Sequence, residues 1–582
     1  MFLQRFKTFS NSFWFYLFSF LILLSEWYLF AYSSGITYPN AFGTFLKDIG
    51  DISIILIPYF IVPRKFRWIN IFIAIIVSLF FLSNVLYFRF WNDLVPTSVY
   101  TTTANFDTDL FKYTEGLIVF SDIWFIISPL LISGSYLLLK PYKSSSFPFR
   151  YKIAGCLISI VIFSVGQFSY LKSGWGYKHE TEGLSLKDFI KDHYAGNNSK
   201  YISRYSQEGL PVYILRFIEE VIELKILSGS LSQDDQTRIK TYLENLNDKN
   251  VIDSLTSSKN IVLIITESLN SDVIGVKIGG INLTPTLDSL INQERSIYFN
   301  RVVSQTRHGG SSDGQMILLT GLLPIEKGAA AVSFVNSTYP ALPLLLKDHH
   351  SEVFLADDGV IWNQENSLKN YGFEKVHTIK DFEKEAKEKG KDASLFDYFL
   401  KKEPTLHEPY FATLITMSMH VPFQDGHHKD DLIIEEASNM SELETDYLKS
   451  VHYYDAALKK LVDSLDSNTL IIIASDHSQD LVSITQDPYA VYLALNTDTT
   501  ANINRIVGQA NLFPVTLELA GVNNTIYNGV AKTAFSPEIN YAIDGFGKKY
   551  GDISAEKTDS LLLEFKISDL IIRGNYFKFL SE

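Results

Sequence analysis

Cysteine is nearly missing from this chain of 582 residues: Cys156 stands alone. A single thiol cannot close an internal disulfide, which excludes a disulfide-stapled secreted scaffold. Internal repeats and low-complexity runs are missing too. Basic charge is in deficit, with 51 Lys+Arg against 65 Asp+Glu and a net of −14. That sign argues against a nucleic-acid partner, which requires a basic surface. What is abundant is apolar surface, 46% of residues, too much for a disordered chain. At ~100–200 residues per domain the length is several domains' worth.

The charge deficit is confined to one part. Residues 1–175 carry 13 Lys+Arg and 8 Asp+Glu, a net of +5, and residues 176–582 carry the remaining 38 and 57, a net of −19. The front part holds five apolar stretches near the ~20 residues that span a bilayer. They run Phe13–Tyr32, Phe45–Val62, Trp68–Phe88, Gly116–Leu139 and Ile153–Leu171. The first is too long for a cleavable signal, contains Glu26 and Trp27, and precedes no small-residue cleavage site. Short-loop charges set orientation. Arg5, Lys7, Arg64, Lys65, Arg67, Lys140, Lys143, Arg150 and Lys152 fall on one side, and only Lys47, Arg89 and Lys112 on the other. The N-terminus is therefore expected inside and everything after Leu171 outside. Glu26, Asp51 and Asp122 should share a depth near the outer boundary, within reach of Arg89, because intramembrane acids are costly and seek a partner or a cavity.

The outer part reads as linker, core and cap. Residues 172–255 are expected to be an amphipathic helical linker. Pro211–Leu227 spaces Val212, Leu215, Ile218, Ile222 and Ile226 helically, and Gln233–Leu246 reads as a polar helix. From Asn260 short apolar runs alternate with helical stretches: Ile261–Ile265, Val353–Leu355, Phe411–Ile415, Leu470–Ala474 and Ala490–Leu495. This pattern predicts an α/β domain around a buried, mostly parallel sheet. Ser560–Phe579 alternates like strands and is expected to add a small C-terminal sheet. The boundaries follow as 1–171, 172–255, 256–535 and 536–582.

Ligands collect at the carboxyl ends of parallel strands. Ile261–Ile265 runs through Thr266 into Glu267, and Leu470–Ala474 ends in Ser475-Asp476-His477-Ser478. Phe411–Ile415 is followed by Thr416 to Phe423, including His420. Between them lies Gln305-Thr306-Arg307-His308-Gly309-Gly310-Ser311-Ser312-Asp313-Gly314, leading into a helix expected over Asp313–Thr320. A hydroxyl at a helix N-terminus suits an anion such as phosphate. Carboxylate, imidazole and hydroxyl together suit a divalent ion, Mn²⁺, Zn²⁺ or Mg²⁺, which would activate a serine nucleophile.

These residues carry a resemblance. NIVLIITESL over Asn260–Leu269, QTRHGGSSDGQ, ASDHS and QANLFPVTLELAGV over Gln509–Val522 look like the lipoteichoic acid synthase group of the alkaline phosphatase/sulfatase superfamily. An N-terminal five-helix transmembrane domain followed by an external α/β catalytic domain is also that group's layout. The resemblance implies Glu267, Asp476 and His477 as metal ligands, with Mn²⁺ the favoured ion. It places Ser311 where the group has a threonine that ligates the metal and attacks; Ser312 is the adjacent alternative. It implies that His420 contacts the substrate phosphate or glycerol, and that Asp357 and Trp362 line a headgroup pocket. The group's Trp-Asn-Arg is here Trp362-Asn363-Gln364, so a bidentate guanidinium is replaced by an amide. The implied function is a membrane-anchored transfer of a phosphoglycerol-type headgroup, from phosphatidylglycerol to a glycan or polyol hydroxyl. Its site is the cytoplasmic membrane, with the catalytic domain on the outer side. Alternatives are a phosphoethanolamine transferase, a sulfatase-like ester hydrolase, and a non-catalytic binding protein. The Pro-x-Arg-type motif of formylglycine sulfatases does not follow Ser311, and intact Glu267, Ser311, Asp476 and His477 speak against a degenerate site.

Overall fold

The computed structural model describes residues 2–34, 41–63, 66–91, 94–95, 118–140, 149–182, 211, 218, 231–247, 260–326, 328–421, 423, 440–479, 489–522 and 529–581. They fall into two compact units, the described residues up to 218 in the first and those from 231 onward in the second. The amphipathic helix expected over Pro211–Leu227 lies almost wholly outside the described residues.

The first unit is built of α1 (Phe2–Ser33), α2 (Ala41–Ile55), α3 (Ile57–Ile61), α4 (Ile69–Trp91), α5 (Ile123–Leu139) and α6 (Phe149–Glu182). Among the described residues, four helical stretches are long and apolar enough to cross a membrane: Phe13–Ser33, Ile69–Arg89, Phe120–Leu139 and Lys152–Ser169. The expected span Phe45–Val62 is not one helix. It divides at Leu56, just before Pro58, whose ring cannot donate to the preceding turn. The acids do not share one partner. Arg89 grips Asp122 with both guanidinium nitrogens, at 2.6 and 2.9 Å. Glu26 accepts from the Ser78 hydroxyl at 2.7 Å, and Asp51 from the Gln167 amide at 3.2 Å. All three acids are buried against protein, and Asp48, which the motif reading passed over, is buried with them. Helices α2 and α6 meet backbone to backbone: a Cβ on Gly166 would lie 2.5 Å from the Leu46 carbonyl oxygen and 2.8 Å from Lys47 Cα. Small residues allow such an approach where no hydrophobic effect drives helices together.

The second unit is organised by a nine-stranded sheet. Its strands are β1 (Asn260–Thr266), β2 (Ser296–Val303), β3 (His350–Leu355), β4 (Lys375–His377), β5 (Tyr410–Ile415), β6 (Thr469–Ser475), β7 (Ala490–Leu495), β8 (Ala501–Ile503) and β9 (Val507–Gly508). The order is β8-β2-β7-β6-β1-β5-β3-β4, with β9 also on β2. Pairing is parallel except for β7, which runs antiparallel to β2 and β6. The sheet is thus mixed and mostly parallel, as the apolar runs predict. β1 is buried along its whole length. Its alternate side chains feed two separate cores: Ile261, Leu263 and Ile265 on one face, Val262 and Ile264 on the other. Each fully buried aliphatic side chain contributes ~1.5–3 kcal/mol.

Three expectations need correction or extension. Ser560–Phe579 is not strand: Ala555–Arg573 is a helix, capped by the Ser554 hydroxyl accepting from the Lys557 amide. Its buried residues, Leu561, Phe565, Ile567, Ser568, Ile571 and Ile572, fall at helical spacing. The cap's only strands among the described residues form the hairpin Tyr541–Ile543 with Lys549–Gly551. Gln233–Asn247 is helical as expected but not polar all round, since Ile239, Leu243 and Leu246 join the first core. β2 was not anticipated, because a register shift between Phe299 and Val302 interrupts its alternation.

The Gly166 approach can be tested by Gly166→Ala. Inserting a methyl into backbone contact costs ~1–3 kcal/mol. The variant should melt earlier than wild type in detergent, measured by intrinsic fluorescence. Gly134→Ala, where a Cβ meets nothing within 4 Å, is expected to leave the melting point unchanged.

Candidate metal and nucleophile site

The strand register builds the site. Thr266 of β1 lies opposite Ser475 of β6, and Ile265 opposite Ile415 of β5. The next residues on these three strands, Glu267, Asp476 and Thr416, therefore emerge side by side. Backbone bonds continue the ladder past the strands: the Asp476 amide donates to the Thr266 carbonyl at 3.0 Å, and the Thr416 amide to Ile265 at 3.1 Å. Ligand atoms of Glu267, Asp476 and His477 all lie within 4.8 Å of one another.

The loop that carries Ser311 closes over this group. A helix runs Ser311–Thr320, starting two residues earlier than the sequence predicts. Ser311 is its first residue. Its hydroxyl donates to Glu267 Oε2 at 2.9 Å and lies 3.2 Å from His477 Nε2. The Ser312 hydroxyl points elsewhere, donating to the Gly309 carbonyl at 2.7 Å. Asp313 is buried and accepts from the amides of Arg307 and Gly309, both at 2.9 Å, which folds the turn that presents Ser311. Gly314 makes the fit possible: a Cβ there would stand 2.0 Å from the Asp476 carbonyl oxygen.

Two buried carboxylates beside each other repel, and their protonation reflects it. Burial, reinforced by the charge of Glu267, pushes Asp476 up to about 7. Burial works against ionisation of Glu267 as well, but the hydrogen bond and charge of His477 outweigh it and hold that carboxyl below the usual range. Burial alone would lower His477; the Asp476 and Glu267 carboxylates draw it up to about 10. The site therefore calls for positive charge at this point, and an oxygen-and-imidazole donor set fits a divalent cation. His477 Nδ1 donates to the Ser478 carbonyl at 3.0 Å, which turns Nε2 toward the carboxylates.

Of the remaining predicted residues, Asp357, Trp362 and Gln364 form a second group, and His420 lies within the electrostatic reach of Glu267 and His477. Trp362 lies against the loop that carries Ser311, its ring 4.0 Å from where a Gly310 Cβ would be. Trp362 and Asn363 are consecutive left-handed residues (φ 57° and 56°), each costing ~1–3 kcal/mol of the kind stored at functional sites. Gln364 is buried. In the amide orientation that satisfies both neighbours, its nitrogen donates to the Asp357 oxygens at 2.9 and 3.2 Å, and its oxygen accepts from Gln315 at 2.8 Å. Gln315 belongs to the helix that begins at Ser311, so Asp357 and Gln364 are tied to that helix through one amide. Burial raises Asp357 to about 6. His420 Nδ1 donates to the Val421 carbonyl at 2.6 Å, and burial lowers its pKa although the Glu267 charge opposes this. Arg307 points away from this group, donating to the Gly545 carbonyl at 2.6 Å and stacking on Phe565.

Several contributors carried no motif signal. Ser268, left-handed at φ 50°, gives its amide to Asp476 Oδ1 (2.9 Å) and its hydroxyl to Glu267 Oε1 (2.8 Å). Gln509 donates to the carbonyls of Ser475 and Asp476. Lys391 adds positive charge felt by Asp357 and His420. Ser268 and Gln509 both lie inside segments that carry the resemblance, without a role assigned to either; nothing in sequence spacing marks Lys391.

With this geometry in place, comparison with known proteins is informative. Residues 259–522 match the Sulfatase family model, and residues 1–174 match the Lipoteichoic acid synthase N-terminal domain. Lipoteichoic acid synthase 2 of Bacillus subtilis (strain 168) is 24% identical over 570 residues, covering 88% of this chain and 84% of that protein. Lipoteichoic acid synthase of Staphylococcus aureus (strain USA300) is 24% identical over 577 residues, covering 89% and 86%. The fold of the integral membrane protein lipooligosaccharide phosphoethanolamine transferase A from Neisseria meningitidis is similar along 89% of this chain and 98% of that one, with a TM-score of 0.51 at 13% identity. From the match of both its parts, in the right order and along nearly its whole length, the chain belongs to the lipoteichoic acid synthase-like family of enzymes in the alkaline phosphatase/sulfatase superfamily.

Proposed function

We propose that the protein is a metal-dependent phosphotransferase that moves a phosphoglycerol-type headgroup from phosphatidylglycerol to a glycan or polyol hydroxyl. The observation that carries this reading is the Ser311 hydroxyl, at a helix N-terminus, 2.9 Å from Glu267 and 3.2 Å from His477. Glu267, Asp476, His477 and Ser311 would hold one divalent ion, with Mn²⁺ favoured over Zn²⁺ or Mg²⁺. Bound there, the ion lowers the hydroxyl pKa and offsets phosphoryl charge. Ser311 Oγ attacks phosphorus as the bond to the diacylglycerol oxygen breaks, and diacylglycerol leaves with the proton. The acceptor hydroxyl then displaces the serine and takes the headgroup. The helix N-terminus favours the anionic phosphate throughout. His420 contacts the phosphate or glycerol, and Trp362 and Asp357 line the headgroup pocket beside Gln364. The whole-chain likeness to a phosphoethanolamine transferase supports a second reading, transfer of that headgroup by the same site.

Five crossings are proposed for the first unit, the broken pair α2–α3 making the fifth. The N-terminus is inside the cytoplasmic membrane and the α/β unit outside. Anchorage confines the search for lipid headgroups to two dimensions.

Three outcomes test the reading. Ser311→Ala should lose several orders of magnitude of divalent-ion-dependent headgroup release with its melting curve intact, while Ser312→Ala stays active. Loss in Ser312→Ala alone would reassign the nucleophile, and no effect of either would end the enzyme reading. Protease added to intact spheroplasts should release a soluble domain cut within 172–255; protection until lysis would invert the topology. Gln364→Arg should change donor preference by about tenfold, since a charge-assisted bond exceeds a neutral one by ~1.4 kcal/mol. The check is competition between phosphatidylglycerol and other phospholipids, and an unchanged product ratio would take Gln364 out of the pocket.

A further inference from the structure

A second chain of titratable side chains lies outside the site. β4 is an edge strand of three residues, too short to hold itself on β3 by its ladder alone. Side chains reinforce it. Glu352 of β3 is buried with a histidine on each carboxylate oxygen: His350 Nε2 at 2.9 Å and His377 Nε2 at 2.6 Å. His350 Nδ1 meets Glu374 at 2.9 Å, and His377 Nδ1 meets the Tyr398 hydroxyl at 3.2 Å. A neutral imidazole has one N–H, so His350 satisfies two carboxylates only as imidazolium. His377 is 2% exposed and lies flat on Phe354, with centroids 4.4 Å apart and planes 5° apart.

This chain sits directly behind the pocket loop. Phe354 is three residues before Asp357. Just past His377, the Ile379 amide donates to the Asp357 carbonyl at 2.8 Å. On the other side the Ala356 amide is held by the Ile415 carbonyl at 3.0 Å. The Asp357 backbone is therefore slung between the central sheet and the continuation of a three-residue edge strand.

We propose that the His350–Glu352–His377–Tyr398 chain is a clamp that fixes the Asp357 loop, and that His377 is a positioning residue for the headgroup pocket. The clamp follows from geometry alone; its kinetic consequence rests on the headgroup-transfer reading above. His377 touches neither the metal ligands nor Ser311, so weakening the clamp moves substrate affinity rather than the chemical step.

The test uses the full-length protein in detergent and two variants. His377→Phe keeps a ring on Phe354 and removes both nitrogens. His377→Gln keeps an amide donor for Glu352. In His377→Phe, deuterium uptake in the peptide containing Ile379 should quicken by about tenfold, the loss expected from one charge-assisted bond. Peptides from β1 should be unchanged. KM for phosphatidylglycerol should rise by about tenfold with kcat within about twofold, and His377→Gln should return both readouts to within about threefold of wild type. Unchanged uptake at Ile379 overturns the clamp. Faster uptake with an unchanged KM, or equal losses in kcat and in melting temperature, overturns the positioning role. If the wild type turns over no phospholipid at all, the headgroup-transfer reading fails, and uptake at Ile379 still decides the clamp.

Discussion

Two carboxylates forced together at the ends of adjacent parallel strands are the constraint on which the site depends. Register leaves Glu267 and Asp476 no choice of neighbour. In water such a pair would move apart or pick up a proton; here both are buried, and the surrounding structure supplies the compensation. Ser268 adopts a left-handed conformation that lends its amide and hydroxyl to the two acids. His477 places its Nε2 3.2 Å from the Ser311 hydroxyl, and a helix brings the positive end of its dipole with Ser311 in front. Each of these features is costly or unusual taken singly. Together they gather Glu267, Asp476 and His477 into a group that could hold a metal ion, with the Ser311 hydroxyl beside it.

The first unit handles buried charge differently. Arg89 and Asp122 satisfy each other bidentately, and Asp122 also accepts the Val119 amide. Glu26 and Asp51 take hydroxyl and amide partners from neighbouring helices. These bonds link α1 to α4 and α2 to α6, so the polar residues act as fasteners between helices. Acids in a membrane unit need not line a path; they can also hold helices at fixed positions.

The sequence was legible wherever one local signal dominated. Five apolar runs became five strands because full burial on both faces leaves a continuous apolar string. The motif residues Glu267, Ser311, Asp476 and His477 converge because strand ends and a helix start are marked by abrupt polar changes. Ambiguity appeared where two periods fit one segment. Ser560–Phe579 contains apolar residues at both alternate and helical spacing, and only the Ser554 cap decides for helix. A bulge hid β2, and Pro58 divided a span that length and hydropathy alone read as continuous. The preference for Ser311 over Ser312 rests on the resemblance alone, since nothing in residue type separates two adjacent serines. Their side chains differ only in direction along the first helical turn, one toward Glu267 and the other back to Gly309.

β1 also acts as a ruler. Because its odd and even residues fill different cores, it cannot slide by one position without exchanging its faces. Insertion or deletion of a single residue would also carry Glu267 ~3.3 Å along the strand axis, out of line with Asp476. The alternation that stabilises the interior therefore doubles as a measure of distance. A change of length in β1 would be felt first as a carboxylate at the wrong height, and insertions in this domain are confined by that gauge to the segments between strands.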